Sequence, residues 1–171
     1  MIILLTGGSG CGKSTYAEKL IASMPKEKRV YIATMQVFDE ESVRRVERHR
    51  AQRADKGFQT VEQPLDLGAA PVEDGSVVLL EDLPNLLANE MFGGGDWQRI
   101  IPALDALAAR CAHLVIVTND TFMDGVNYEG EMKDYQQRLA LINAHAAKIS
   151  DYAAEVVYSI PVALKGAAPC V

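Results

Sequence analysis

The sequence predicts a three-layer α/β domain built on a mostly parallel sheet. Three observations carry this. Short β-forming runs alternate with longer helix-compatible segments along the chain, as in successive βαβ units. Two of the runs, Val77–Leu80 and Leu114–Val117, are apolar at every position, the mark of strands covered on both faces. The first run, Ile2–Thr6, turns through glycines straight into a helix-compatible segment.

The totals agree. A chain of 171 residues suits one domain, spanning 1–171, with a sizeable core. A hydrophobic share of 49% against 23% charged is a globular balance. The net charge of −6 argues against a general nucleic-acid or anionic-membrane binder. Cys11, Cys111 and Cys170 show neither metal nor redox spacing, which fits a reducing compartment. Met1–Leu5 is too short for a signal sequence, and no run approaches a membrane span. The expectation is a cytoplasmic protein without nucleic-acid or membrane partners.

In order, Ile2–Thr6 reads as a buried strand and Ser14–Met24 as the next helix, ended by Pro25. Arg29–Thr34 is rich in β-formers and reads as a second strand. Asp39 caps a predicted helix running to about Ala54, with Glu40 and Glu41 favourably placed in its first turn. Phe58–Glu62 is a short strand, followed by a connection bracketed by Pro64 and Pro71. Ser76–Leu80 is a buried strand that ends in Glu81–Asp82. Leu86–Phe92 reads as a helix and Gly93–Gly95 as a joint. Trp97–Arg110 is an amphipathic helix, either interrupted near Pro102 or holding it in its first turn. His113–Thr118 is a further strand, Glu131–Ser150 a long helix and Ala154–Ile160 the last strand. Lys165–Val171 reads as a frayed end.

The chemistry begins in the first turn. Gly7, four residues, then Gly12–Lys13–Ser14 satisfies the phosphate-loop pattern in its required strand–loop–helix context. Glycines let backbone N–H groups converge on a phosphate chain, and the following helix offers its N-terminus to the same anion. Lys13 supplies a point charge for the β- and γ-phosphates, and Ser14 a hydroxyl for Mg²⁺. The predicted nucleotide-binding set starts with Gly7, Gly8, Ser9, Gly10, Cys11, Gly12, Lys13, Ser14 and Thr15 of this loop and takes in Thr34 at the end of the second strand. The class is therefore a P-loop NTPase fold binding a nucleoside triphosphate with Mg²⁺. Ligands of such sheets lie off the C-terminal strand ends, a rim shared by the loop, Thr34, Glu81, Asp82 and Asn119.

Glu81 follows a hydrophobic strand, as a carboxylate holding Mg²⁺ opposite Ser14 does. Successive side chains on a strand alternate, so Asp82 is assigned to a helix cap or to support behind the metal. Asn119 and Asp120 either touch nucleotide or substrate, or end their strand. His113 and His145 read as structural or surface residues. Arg44, Arg45, Arg48, Arg50 and Arg53 crowd ten residues of an acidic protein. At helical spacing Arg45, His49 and Arg53 share a face. That face is either a solvated one, paired with Glu40, Glu41 and Glu47, or a phosphate-binding one. In the second case His49 is a nucleophile, kept neutral by neighbouring guanidiniums.

Several segments together resemble the bifunctional adenosylcobinamide kinase / adenosylcobinamide-phosphate guanylyltransferase family. They are LLTGGSGCGKST, YIAT with DEE shortly after, RVERHRAQR, TVEQPLDL, VVLLEDLPNLLANE and IVTND, in the family's order over roughly residues 1–120. Where the family commonly has Cys and then Thr after its acidic strand end, this chain has Asp82 and Pro84. The resemblance implies phosphorylation of the adenosylcobinamide hydroxyl by ATP or GTP. It then implies transfer of GMP from a guanylylated histidine, which it places at His49. It further implies that Glu62 and Glu81 line the nucleotide site, that the sheet is RecA-like and that the protein is a homotrimer. Two rival readings stand beside it: a small-molecule kinase without guanylyl transfer, and a non-enzymatic nucleotide-gated partner protein.

Overall fold

A computed structural model describes residues 1–24, 28–36, 57–120 and 125–169. Seven strands form one sheet: β1 (Ile2–Thr6), β2 (Arg29–Ala33), β3 (Gln59–Glu62), β4 (Val77–Glu81), β5 (His113–Val117), β6 (Tyr152–Val157) and β7 (Ile160–Lys165). Their order is β3-β2-β4-β5-β1-β6-β7. Every pairing is parallel except β6 with β7. The described α-helices are α1 (Lys13–Ser23), α2 (Leu83–Phe92), α3 (Ile100–Arg110) and α4 (Gly130–Ile149).

Strand alternation divides the core into two layers. Ile3, Leu5, Val77, Leu79, Val115, Val117 and Ala154 face one way and pack with Ala17, Leu20 and Ile21 of α1. Leu4, Val78, Leu80, Leu114, Ile116 and Ala153 face the other way, under α2, α3 and α4. Both faces of the central strands are thus dry, which is why Val77–Leu80 and Leu114–Val117 are apolar without a break. The predicted three-layer, mostly parallel architecture is the one that forms.

The rim that carries the site follows from register. Glu62 aligns with Ala33, Ala33 with Glu81, Glu81 with Val117 and Val117 with Leu5. All of these residues stand in one row at the C-terminal strand ends, just below the phosphate loop.

Four expectations are corrected or sharpened. The chain does not end after one last strand: β6 runs Tyr152–Val157, and residues 160–165 turn back as antiparallel β7. Pro161 is tolerated there because β7 is an edge strand. Lys165, expected in a frayed end, donates from Nζ to the carbonyls of Ala147 and Lys148 at the end of α4. There the ammonium satisfies the last orphan carbonyls and complements the helix dipole. Pro102 lies in the first turn of α3, after a 3-10 turn at Trp97–Arg99, where its missing N–H costs nothing. The helix α2 begins at Leu83, earlier than its apolar pattern suggested, because Asp82 caps it and Pro84 suits its first turn. The helix predicted from Asp39 to Ala54 lies outside the described residues.

Candidate active site

The phosphate loop is braced from both sides. Gly7 has φ 133°, and a Cβ there would press into the Val156 carbonyl of β6. Gly12 caps α1 at φ 98°, and a Cβ there would collide with Ser159 Oγ. Only glycine meets both the backbone angle and the close approach. Lys13 is buried, and its Nζ donates to the carbonyls of Gly7 and Gly8, each at 2.7 Å. The ammonium therefore sits inside the curl of the loop.

Ser14 and Glu81 meet across the sheet. Glu81 belongs with Val77 and Leu79 to the sheet face that α1 covers, so its carboxylate points at the first turn of that helix. Ser14 Oγ donates to Glu81 Oε1. Tyr31 Oη donates to Glu81 Oε2 at 2.9 Å. Tyr31 pairs with Leu79, two residues before Glu81 on the same face, so this contact is a diagonal cross-strand pair. Sequence reasoning missed Tyr31, although the alternation of β2 against β4 carried the signal.

Asp82 points elsewhere. Its Oδ1 accepts from the backbone N–H and the side-chain amide of Asn85, at 2.9 and 2.8 Å. Its assignment as a helix cap is therefore what the geometry displays. Burial pushes its carboxyl up to about 6, with the Glu81 charge adding to the rise and the Asn85 hydrogen bonds opposing it.

A cleft of about 440 Å³ opens over these groups, lined among others by Ser9, Gly10, Lys13, Ser14, Glu81, Asp82 and Asn119. Asn119, left open between contact and strand end, is part of this lining. Tyr135 also lines the cleft from α4, its hydroxyl donating to the Pro84 carbonyl at 3.0 Å. Burial pushes its phenol up to about 12, with the Asp82 charge assisting, so it remains a donor. Nothing in the spacing of the sequence pointed to Tyr135, because it reaches the cleft only through the packing of α4 beside α2.

Other predicted residues stand apart from this cleft. Thr15 is exposed on α1. Thr34 is fully buried: its Oγ1 accepts from the Asp82 N–H and donates to the Asp82 carbonyl, at 2.7 and 2.8 Å. It therefore clamps the junction between β2 and the start of α2. Glu62 is exposed at the end of β3, in the same row as Glu81 but two strands away, about 10 Å along the sheet. Arg45, His49 and Arg53 lie outside the described residues.

A second cleft, of about 550 Å³, lies on the other side of the loop's crest. Gly8–Cys11 line one wall and Glu155–Ser159, the end of β6 and its turn into β7, line the other. His145, on α4, is paired with Asp105 at 2.7 Å and takes no part in either cleft.

For Mg²⁺ the donor chemistry fits. A serine hydroxyl and a carboxylate are hard oxygen ligands, and hydrogen bonding already brings the two together. Mg²⁺ commonly takes only one or two protein ligands beside phosphate and water.

Comparison with known proteins extends the likeness beyond residue 120. A family model described as cobinamide kinase / cobinamide phosphate guanyltransferase matches residues 3–164. The chain is 34% identical to the bifunctional adenosylcobalamin biosynthesis protein CobU of Escherichia coli, covering 96% of this chain and 100% of that protein. It is 31% identical to the protein of the same name from Salmonella typhimurium, with the same coverage. It is also 31% identical to CobP of Pseudomonas aeruginosa, over 95% of this chain and 96% of that one. Among solved structures, the flagellar accessory protein FlaH of Methanocaldococcus jannaschii superposes with a TM-score of 0.51 at 11% identity, covering 96% of this chain and 78% of that one. That likeness is one of fold, a mostly parallel α/β sheet with helices. The loop, the Ser14–Glu81 pair and the matched length agree: this chain belongs to the cobinamide kinase / cobinamide phosphate guanyltransferase family, a family of nucleotide-binding transferases.

Proposed function

We propose that this chain, as one P-loop domain spanning 1–171, carries out both steps: phosphorylation of adenosylcobinamide, then guanylyl transfer through a GMP–histidine at His49. The observation that carries the reading is the junction of Lys13, Ser14 and Glu81 at the C-terminal rim, under a cleft walled by the phosphate loop. In the kinase step the acceptor hydroxyl oxygen bonds to the γ-phosphorus of ATP or GTP. The bond to the β,γ-bridging oxygen breaks, the nucleoside diphosphate leaves with the electron pair, and one proton passes to solvent. Lys13 moves from the loop carbonyls to the phosphate oxygens and stabilises the charge there. Ser14 and Glu81 would hold Mg²⁺, which would supply neutralisation of phosphate charge. Tyr31 fixes the Glu81 carboxylate for that duty.

In the second step a His49 ring nitrogen bonds to the α-phosphorus of GTP and pyrophosphate leaves. The phosphate of the corrinoid then takes the GMP, the P–N bond breaks and the histidine is restored. Arg45 and Arg53, one helical turn either side of His49 at the predicted spacing, would clamp phosphoryl oxygens. Thr15, Thr34 and Glu62 belong to the predicted nucleotide set. Of these Thr34 supports it through the Asp82 backbone, and Glu62 extends the acidic rim.

The reading includes a cytoplasmic homotrimer. Among the described helices none is long and apolar enough to cross a membrane. The edge strand β7 leaves Ile160, Val162 and Leu164 exposed at 64%, 47% and 62%, a stripe that a second copy would cover.

The test is incubation with α-labelled GTP. Acid-labile, alkali-stable label on the protein is expected in wild type and absent in His49→Ala, while phosphorylation of the corrinoid alcohol persists in that variant. Label-free protein that still phosphorylates the alcohol would leave a kinase alone.

A further inference from the structure

We propose that the nucleobase of the triphosphate used in the kinase step lies in the second cleft, stacked on Tyr158 at the β6–β7 turn. The inference rests on the kinase reading of the phosphate loop given above.

Phosphoryl transfer places the attacking and leaving oxygens on opposite sides of the phosphorus. Lys13, Ser14 and Glu81 put the γ-phosphate and the incoming hydroxyl in the first cleft. The departing nucleoside diphosphate then extends away from that cleft, over the loop's crest. Ser9 and Gly10 form this crest and line both clefts, so a phosphate chain crossing them enters the second one. Its 550 Å³ falls in the ordinary range of small-molecule sites.

The turn at the mouth of that cleft is built at a conformational cost. Tyr158 and Ser159 occupy the left-handed region, at φ 49° and 66°, in a two-residue hairpin loop that favours Asn-Gly. Strained non-glycine backbone persists only where the surroundings enforce it. Here the surroundings are the phosphate loop itself. The Ser159 N–H donates to the Cys11 carbonyl at 2.7 Å, and Ser159 Oγ fills the space left by the missing side chain of Gly12. The outcome is a tyrosine whose backbone is held beside the loop by its neighbour Ser159 and whose side chain is 89% exposed. Packing does not account for a ring so placed, whereas an aromatic platform beside a phosphate cradle suits a flat base, whichever base it is.

The test compares Mg²⁺ complexes of a β,γ-imido ATP analogue and of inorganic tripolyphosphate, which has no base, on wild type, Tyr158→Ala and Tyr158→Phe. Tyr158→Ala is expected to weaken analogue binding roughly 10-fold or more. The nucleotide KM for alcohol phosphorylation should rise by the same factor, with kcat within about twofold. Tripolyphosphate affinity should be unchanged, and Tyr158→Phe should restore the analogue. Unchanged analogue binding overturns the assignment. So does a parallel loss of tripolyphosphate, which would make Tyr158 a brace of the loop. Failure of both ligands to bind wild type would overturn the phosphate-loop reading itself, and the base position with it.

Discussion

The two clefts beside the phosphate-loop crest share Ser9 and Gly10 and differ in how they are made. The first is walled by side chains from α1, β4 and α2 and from the segments beyond β5, and it concentrates Lys13, Glu81 and Asp82. The second is walled by loop backbone and one hairpin, with Tyr158 at its mouth. Charge needs the first kind of wall. Lys13 at the start of α1 and Glu81 at the end of β4 keep their positions because both elements pack in the middle of the parallel sheet, which supplies that rigidity. Recognition of a flat ring tolerates an edge strand, because stacking needs area and orientation more than exact distance. Changes on the charged side should therefore strike turnover, and changes on the hairpin side should strike affinity.

The largest break in this contrast is Lys13→Ala. Loss of one preorganised donor to developing charge costs about 10²–10³ in kcat, and buried Lys13 sits inside the loop it serves. Steady-state phosphorylation of the corrinoid alcohol measures this, with the secondary structure checked by circular dichroism. Glu81→Gln is expected to fall in the same direction and to raise the Mg²⁺ concentration needed for half-maximal rate. Equal kcat in wild type and both variants would remove the first cleft from the chemistry.

Asp82→Asn separates the two carboxylates that the sequence sets side by side. The native Asp82 pKa of about 6 lies above its ordinary 3.8, so the folded protein binds this proton more tightly than the unfolded chain. Its contribution to stability is full below about pH 4 and is lost as the pH rises through 6. Asparagine can still accept from the Asn85 N–H, so the cap survives without the titration. In urea unfolding without nucleotide or Mg²⁺, the stability of the variant relative to wild type should rise by up to about 3 kcal/mol between pH 4 and pH 7. Parallel curves would show that burial does not lift this carboxyl.

How much of this was legible depends on which contacts are local. The phosphate loop, the strand cores and the Glu81 position are short-range patterns, and each formed where the pattern put it. The alternation argument set Glu81 and Asp82 apart, and in the fold the one meets Ser14 and the other caps α2. Tyr31 was readable from the pairing of β2 with β4, but only once the strand order was known. Tyr135 reaches the cleft by packing between α2 and α4, for which no spacing exists in the chain. The β7 strand hid behind Pro161 and its exposed alternation, features that sequence alone shares with a loose tail. Thr34 was correctly set at the rim, yet burial turned its hydroxyl to the Asp82 backbone. Burial at that level is decided by neighbours far away in sequence.

Tyr158→Ala stands next in size, at the roughly 10-fold loss of nucleotide affinity already described, and it tests the hairpin side alone. The smallest expected effect comes from the opposite end of the sheet. His113 opens β5, four residues before Val117 at the site's rim, about 13 Å along the strand. Its Nδ1 is buried with no hydrogen-bond partner among the described residues. Burial, and then the N-terminal amine, lower its pKa from the ordinary 6.5. A depressed histidine contributes stability that is present above pH 6.5 and is lost as the pH falls through its folded value. His113→Leu removes both the orphan nitrogen and the titration, so it should stabilise the protein by about 1 kcal/mol. The advantage should grow as the pH falls from 7 to 5. Turnover and nucleotide affinity should not change, because neither cleft touches this end of β5. A loss of activity in His113→Leu would mean that the two ends of the sheet are coupled, and that the contrast between the clefts is not a local one.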